Sequence, residues 1–149
     1  MTDKTLAPAP PANTTLHLSL PARLDSLELA RQAMAGFLPP LDLSQQAQFN
    51  LELILEETLM NVVLHAFKDP GPHWVELNVQ AEPDALLLCF EDDGIAFDPV
   101  SAAEPQRPGS IAEAAIGGLG LMLVRQRAKS VTYLRANGRN RLSIAIHRQ

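Results

Sequence analysis

The pattern of apolar and polar residues predicts five short β-strands in this chain. They cover residues 14–20, 75–80, 85–90, 130–136 and 141–147. The segment 85–90 is apolar throughout, which is typical of a central strand. The last two strands flank Asn137-Gly138, a strong signal for a two-residue hairpin turn. We therefore expect these two strands to pair with each other.

Helical spacing of apolar residues predicts three helices, over residues 25–38, 45–67 and 119–129. Pro39-Pro40 ends the first helix, and Ser44 is a suitable N-cap for the second. The resulting order, β-α-α-β-β-loop-α-β-β, predicts helices gathered on one face of a mixed, mostly antiparallel sheet. The expected fold class is α+β, a two-layer α/β sandwich.

The second predicted helix carries a polar stripe on an otherwise apolar surface. Glu57, Asn61 and His65 follow one another at intervals of four residues, which places them on one face. Such a stripe faces either water or a polar ligand, because unpaired burial costs about 1–3 kcal/mol per group. A second stripe, Glu52 and Glu56, lies well over a quarter-turn away, and one solvent face would not need two stripes. The pattern therefore favours a ligand.

Length, charge and hydropathy narrow the classes of protein to consider. The 149 residues suffice for one domain, and residues 1–13, rich in proline and alanine, are expected to be a disordered tail. A net charge of −5 without a Lys/Arg cluster argues against nucleic-acid binding. No stretch approaches the ~18 apolar residues of a membrane span, and the start of the chain has no apolar signal segment. We therefore expect a cytoplasmic protein with no membrane partner.

Two further motifs have the composition of a ligand site. Asp92-Asp93-Gly94 follows the buried third strand, where a carboxylate can accept a hydrogen bond from an exocyclic amine. Gly117-Gly118-Leu119-Gly120-Leu121 opens the third helix, and glycines there let backbone N–H groups approach a phosphate. Taken singly, the first motif also fits a polar turn and the second a flexible hinge. The second is neither a Walker A loop nor a complete Rossmann fingerprint.

Taken together and in order, these motifs resemble the boxes of the GHKL ATPases, and most closely the small single-domain anti-sigma factor serine kinases. The segments that carry the resemblance are 57–65, 92–99, 117–125 and 138–142. The resemblance implies the Bergerat, histidine-kinase-like ATPase fold, with an ATP-binding kinase domain over residues 14–149 and a lid at about 99–116. Ala96 departs from the pattern of gyrase-like members and histidine kinases, which have a second glycine there.

The resemblance also implies roles for the helical stripe. Glu57 would be the general base that activates a serine hydroxyl, and Asn61 would coordinate Mg²⁺ between the phosphates. His65 would border the ATP site, although packing or hydrogen bonding at the helix end explains this residue as well.

The remaining implied ATP-binding residues come from the turn, the lid and the glycine-rich box. Asp92 would accept the adenine amine, with Gly94 keeping the turn open, and Arg107 would reach the phosphates from the lid. The glycine-rich box would contribute Gly118, Leu119, Gly120 and Leu121.

The function implied is that of an ATP-dependent protein-serine kinase. It would phosphorylate a STAS-domain anti-sigma factor antagonist, sequester a sigma factor or similar regulator, and form a homodimer. The alternative is a catalytically weak ATP-binding module that acts only in partner switching. A slow ATPase unrelated to transcription is a third and weaker hypothesis.

Overall fold

The computed structural model of the chain describes residues 14–99 and 118–149. The predicted tail, residues 100–116 of the predicted lid, and Gly117 lie outside the described residues. The strands are β1 (Thr14–Pro21), β2 (Trp74–Ala81), β3 (Ala85–Asp92), β4 (Ser130–Ala136) and β5 (Arg139–His147). The α-helices are α1 (Ser26–Met34), α2 (Gln45–Asn61) and α3 (Gly118–Arg127). Within the described residues, no helix is long and apolar enough to cross a membrane.

The five strands form one sheet in the order β1-β2-β3-β5-β4. Every pairing among them is antiparallel. The predicted α+β fold class is therefore confirmed, with no parallel pair among the described strands. In the central pair, Asp92 at the end of β3 lies opposite Asn140 near the start of β5. This register brings two polar side chains together that are 48 residues apart in the chain.

The hydrophobic core lies between the helices and one face of the sheet. Leu77, Leu86, Leu88 and Ile144 are fully buried on the sheet side, and Ile54 is fully buried on α2. These positions alternate along the strands with partly exposed ones, as a two-layer sandwich requires. The core thus holds the helical layer against the strand ends that form the candidate site.

The second helix begins as expected but ends in a different geometry. Ser44 caps it, since the Ala47 amide donates to Ser44 Oγ at 3.1 Å, which confirms the predicted N-cap. The α-helix proper ends at Asn61, and the chain continues as a π-helical turn over Val62–Ala66. Such turns occur frequently at functional sites because they change which side chains face a given direction.

The first helix is shorter than predicted, and a 3₁₀ turn follows it. The helix α1 ends at Met34, and the Phe37 and Leu38 amides both donate to the Met34 carbonyl. The 3₁₀ turn then spans Pro39–Leu41. Since proline supplies no amide hydrogen, Pro39-Pro40 suits the start of a short turn better than the end of a long helix.

The second polar stripe on α2 has a structural explanation. Glu52 accepts hydrogen bonds from the Arg31 guanidinium of α1, with Nε at 2.6 Å, and this hydrogen bond raises the pKa of Arg31 above its usual value. Glu56 is exposed to solvent. Glu52 joins the two helices, so the second stripe does not support the inference that the first stripe faces a ligand.

The β4–β5 hairpin has the expected turn. Asn137 and Gly138 both have positive φ, 53° and 72°, and Ala136 pairs with Arg139 across them. This is the backbone of a type I′ turn, which asparagine and glycine adopt more easily than other residues. The turn therefore fixes the register of β4 against β5, in which Asn140 lies opposite Arg135.

Candidate active site

A cleft opens between α2, the end of β3, the start of α3 and the β4–β5 hairpin. The lining is largely apolar and includes Phe90, Leu121 and Leu142. Polar side chains enter it from α2 and from the strand ends, namely Thr58, Asn61, His65, Asp92, Tyr133 and Asn140. An apolar wall with a few convergent polar groups suits a flat heteroaromatic ligand.

Two polar atoms in the wall formed by α2 lack partners. Thr58 is 2% exposed, and neither its Oγ1 nor Asn61 Nδ2 has a hydrogen-bond partner among the described residues. Leaving such a group unpaired costs about 1–3 kcal/mol. A bound polar ligand would offset this cost, since both residues line the cleft.

The turn after β3 is fixed against the end of the π turn. The Gly94 amide donates to Asp92 Oδ1 at 2.9 Å, and the Ile95 amide donates to the Ala66 carbonyl at 2.8 Å. A β-carbon at position 94 would overlap the Ala66 carbonyl oxygen and lie 2.8 Å from the Ala66 β-carbon. Glycine is therefore required here because the turn packs directly on the helical backbone.

Asp92 is held on one side by Asn140. The residue is 5% exposed, and its Oδ1 accepts from Asn140 Nδ2 at 2.9 Å as well as from Gly94. The turn is tied to the hairpin a second time, because Arg135 Nη1 donates to the Gly94 carbonyl at 2.7 Å. The acidic side chain thus has a defined orientation at the edge of the cleft.

The glycine-rich start of α3 packs against the carboxylate of α2. A β-carbon at Gly120 would overlap Glu57 Oε2 and lie 2.7 Å from Glu57 Cδ. The first turn of α3, which begins at Gly118, can therefore approach Glu57 closely only because residue 120 is glycine. This contact places a carboxylate beside a helix N-terminus, where free backbone N–H groups favour anions.

The structure brings most of the candidate residues together. Asn61, His65, Asp92 and Leu121 line the cleft. Gly94 forms the turn beside it, while Glu57 meets Gly120 where α2 and α3 pack. Leu119 belongs to α3, and Arg107 lies outside the described residues.

Three polar lining residues were not identified as site residues from the sequence, namely Thr58, Tyr133 and Asn140. Thr58 follows Glu57 directly, and its signal would have been a hydroxyl on an otherwise apolar helix face. Tyr133 and Asn140 reach the cleft only through the pairing of β5 with β3 and β4. Asn137-Gly138 signals the pairing of β4 with β5, but the sequence carries no local signal for the pairing of β5 with β3.

Comparison with known proteins identifies the family. The profile of the histidine kinase-like ATPase domain matches residues 20–146. The serine/threonine-protein kinase BtrW of Bordetella bronchiseptica is 34% identical over 104 residues, which cover 70% of this chain and 73% of BtrW. The chain belongs to the histidine kinase-like ATPases, in the branch of the anti-sigma factor serine kinases.

Other relatives agree with this assignment. The serine-protein kinase RsbW of Listeria innocua is 30% identical over 111 residues, 72% of this chain and 71% of RsbW. The anti-sigma F factor of Geobacillus kaustophilus is 23% identical over 88 residues, 59% of this chain and 60% of that protein. The family assignment implies that this domain binds ATP.

Proposed function

We propose that this protein is an ATP-dependent protein-serine kinase and anti-sigma-type regulator whose nucleotide occupies the cleft between α2, β3 and α3. The observation that carries the proposal is that Asn61 and Asp92 line one cleft, while Glu57, one helical turn before Asn61, contacts Gly120 at the start of α3. Similarity to BtrW and RsbW, both named as kinases, supports it.

The apolar part of the cleft fits an adenine ring. In the proposed complex the ring packs on Leu121 and Phe90, and Asp92 accepts a hydrogen bond from the exocyclic amine. Gly94 serves this arrangement indirectly, since it lets the turn that carries Asp92 settle on Ala66. His65, exposed at the cleft, borders the bound nucleotide.

The proposed phosphate site lies at the start of α3. Backbone N–H groups from Gly118 to Leu121 face the phosphates, and the helix N-terminus favours their negative charge. Asn61 would hold Mg²⁺ through its side-chain oxygen, and the charge of the ion would neutralise the phosphate oxygens. Asn61 Nδ2, which has no hydrogen-bond partner among the described residues, could then donate to a phosphate oxygen. Arg107 of the proposed lid supplies a further cation.

Glu57 is the proposed general base. It accepts the proton of a serine hydroxyl as the serine oxygen forms a bond to the γ-phosphorus. The bond between that phosphorus and the β–γ bridging oxygen breaks, and ADP leaves. The contact with Gly120 holds the Glu57 carboxylate beside the proposed phosphate site without a competing cation in the described contacts.

The proposed partners follow from the names of the relatives. The name serine-protein kinase suggests a protein serine as the phosphate acceptor, and the name anti-sigma F factor suggests a sigma factor or similar regulator as a partner. The proposed protein substrate is a STAS-domain antagonist, as the resemblance to this branch of the family implies. A homodimer is the proposed assembly, and the cytoplasm the proposed compartment.

Calorimetric titration with Mg·ATP tests the site. We expect the wild type to bind and Asn61→Ala to lose at least about tenfold in affinity, because Asn61 supplies both a cation ligand and a buried polar group. The matched control is Asn50→Ala on the same helix, where the side chain bonds only Gln46 in the described structure. Absence of binding to a folded wild type would reject the proposed function. Binding without phosphotransfer to any STAS-domain protein would favour the alternative, a binding module.

A further inference from the structure

The side chain of Asn140 makes every hydrogen bond that an amide can make. Its Nδ2 donates to Asp92 Oδ1 at 2.9 Å and to the Ile95 carbonyl at 2.8 Å. Its Oδ1 accepts from Tyr133 Oη at 2.5 Å and from Arg135 Nη1 at 3.0 Å. Arg135, which can only donate, therefore meets the oxygen together with the Tyr133 hydroxyl, and two acceptors meet the nitrogen. The partners alone define which end of the amide faces Asp92.

This arrangement commits one oxygen of Asp92. Oδ1 accepts two N–H groups, from Asn140 and from the Gly94 backbone. No hydrogen bond engages Oδ2 among the described residues. Since Asp92 lines the cleft, its second oxygen is the group available to a ligand.

We propose that Asn140 is a positioning residue that makes the site select nucleobases carrying an exocyclic amine. The inference rests on the proposed function, namely a purine nucleotide in this cleft. By holding Asp92 as a fixed acceptor, Asn140 favours a base edge that presents an N–H donor. A base with a carbonyl oxygen at the same place meets an acceptor that cannot turn away.

Arg135 also fixes the turn that follows Asp92. One nitrogen, Nη1, donates both to Asn140 Oδ1 and to the Gly94 carbonyl. The β4–β5 hairpin therefore fixes the side chain of Asp92 through Asn140 and fixes its turn through Gly94. Tyr133 adds a hydrogen bond from the same strand, so β4 and β5 together orient the base-reading carboxylate.

The test compares two nucleotides that differ only in the amine. Mg·ATP and the triphosphate of purine riboside, which lacks the 6-amino group, are titrated into the full chain by calorimetry. For Asn140→Ala we expect ATP affinity to fall at least about tenfold and affinity for the purine riboside triphosphate to change less than about twofold. A general loosening of the fold would lower both affinities equally.

Two further variants guard against a folding defect. Asn140→Ser retains a donor in place of the amide, and Tyr133→Phe keeps the ring while removing one hydrogen bond to Asn140 Oδ1. Both should reduce the preference for ATP by less than Asn140→Ala does. If Asn140→Ala does not fold, these two decide the question, and an unchanged preference in both overturns the proposal. The control is Asn78→Ala on β2, where the side chain contacts His17 rather than the cleft.

The outcomes separate this inference from the proposed function. If the folded wild type binds neither nucleotide, the proposed function fails and the inference fails with it. If the wild type prefers ATP but Asn140→Ala weakens both nucleotides equally, only the positioning role is overturned. A wild type that binds the two nucleotides equally also overturns it, because Asp92 then does not read the amine.

Discussion

The carboxylate of Glu57 on α2 lies directly against the α-carbon of Gly120 on α3, in the space that a β-carbon at position 120 would occupy. With any other residue at 120, the Glu57 side chain would have to move away from α3. The proposed base and the proposed phosphate site are thereby joined by one contact, so a small change at 120 acts on both.

Gly120→Ala should impair catalysis more than folding. The new methyl group would collide with the end of a side chain, which can rotate away, so the free energy of unfolding should fall by only about 1–2 kcal/mol. The displaced Glu57 would no longer face the substrate, and phosphotransfer should drop at least about tenfold. Radiolabelled ATP and the cognate antagonist measure the transfer, and urea unfolding measures the stability.

A matched control is available at Gly36, where a β-carbon would meet nothing within 4 Å. Gly36→Ala should leave transfer unchanged and the free energy of unfolding within about 0.5 kcal/mol. In a Glu57→Ala background, Gly120→Ala should cost less stability than it does in the wild type, because the colliding carboxylate is gone. Equal costs in the two backgrounds would contradict the contact.

Gly94→Ala should lower the stability of the fold more than Gly120→Ala does. The new methyl group would meet the backbone of Ala66, whose carbonyl oxygen and carbonyl carbon, the latter at 2.9 Å, cannot move without disturbing the π turn. We therefore expect the free energy of unfolding to fall by about 2–3 kcal/mol, more than for Gly120→Ala. Urea unfolding of the two variants side by side measures the difference. An unfolding midpoint equal to that of the wild type would show that the turn does not pack as described.

Glu57→Gln separates binding from chemistry. The amide keeps the shape of the side chain but cannot accept the serine proton, so the phosphotransfer rate should fall about 10²–10⁴-fold. Affinity for Mg·ATP should stay within about twofold, since Glu57 has no proposed contact with the nucleotide. Glu56→Gln is the control, because Glu56 precedes Glu57 on the same helix and its side chain is exposed to solvent. Transfer that survives in Glu57→Gln would remove Glu57 from the role of base.

The local elements of the fold could be predicted from the sequence because their causes are local. The Ser44 cap depends on an amide three residues away, and the Asn137-Gly138 turn depends on two residues that accept positive φ. The π turn after Asn61 could not be predicted, since Val62–Ala66 has the composition of an ordinary helix end. The π turn is accompanied by the contact between Ala66 and Gly94, which is not local in the sequence.

The site was predictable where one segment carries several of its residues. Asn61 and His65 share one helical stripe, and both line the cleft. The partners of Asp92 were not predictable, because Asn140 approaches it through strand pairing over 48 residues. Glu52 shows the converse error, since its partner Arg31 lies on another helix, and the stripe alone could not distinguish an ion pair from a ligand.

Arg148 provides a test of stability away from the site. It is 6% exposed, and its guanidinium donates to the Glu82 carbonyl at 2.6 Å and to the Leu41 carbonyl at 2.5 Å, which ties the end of β5 to two loops. Arg148→Met keeps much of the side-chain volume but leaves both carbonyls without a hydrogen bond, which destabilises the fold. The substitution also removes the cost of burying a cation whose Nε has no described partner. The lost hydrogen bonds should outweigh that gain. We expect the free energy of unfolding to fall by about 2–4 kcal/mol in urea titration.

Arg23→Met is the control, because Arg23 forms an exposed ion pair with Asp25, and it should change the free energy of unfolding by less than about 1 kcal/mol. Equal effects of the two substitutions would mean that the buried hydrogen bonds of Arg148 only balance the cost of burying its charge.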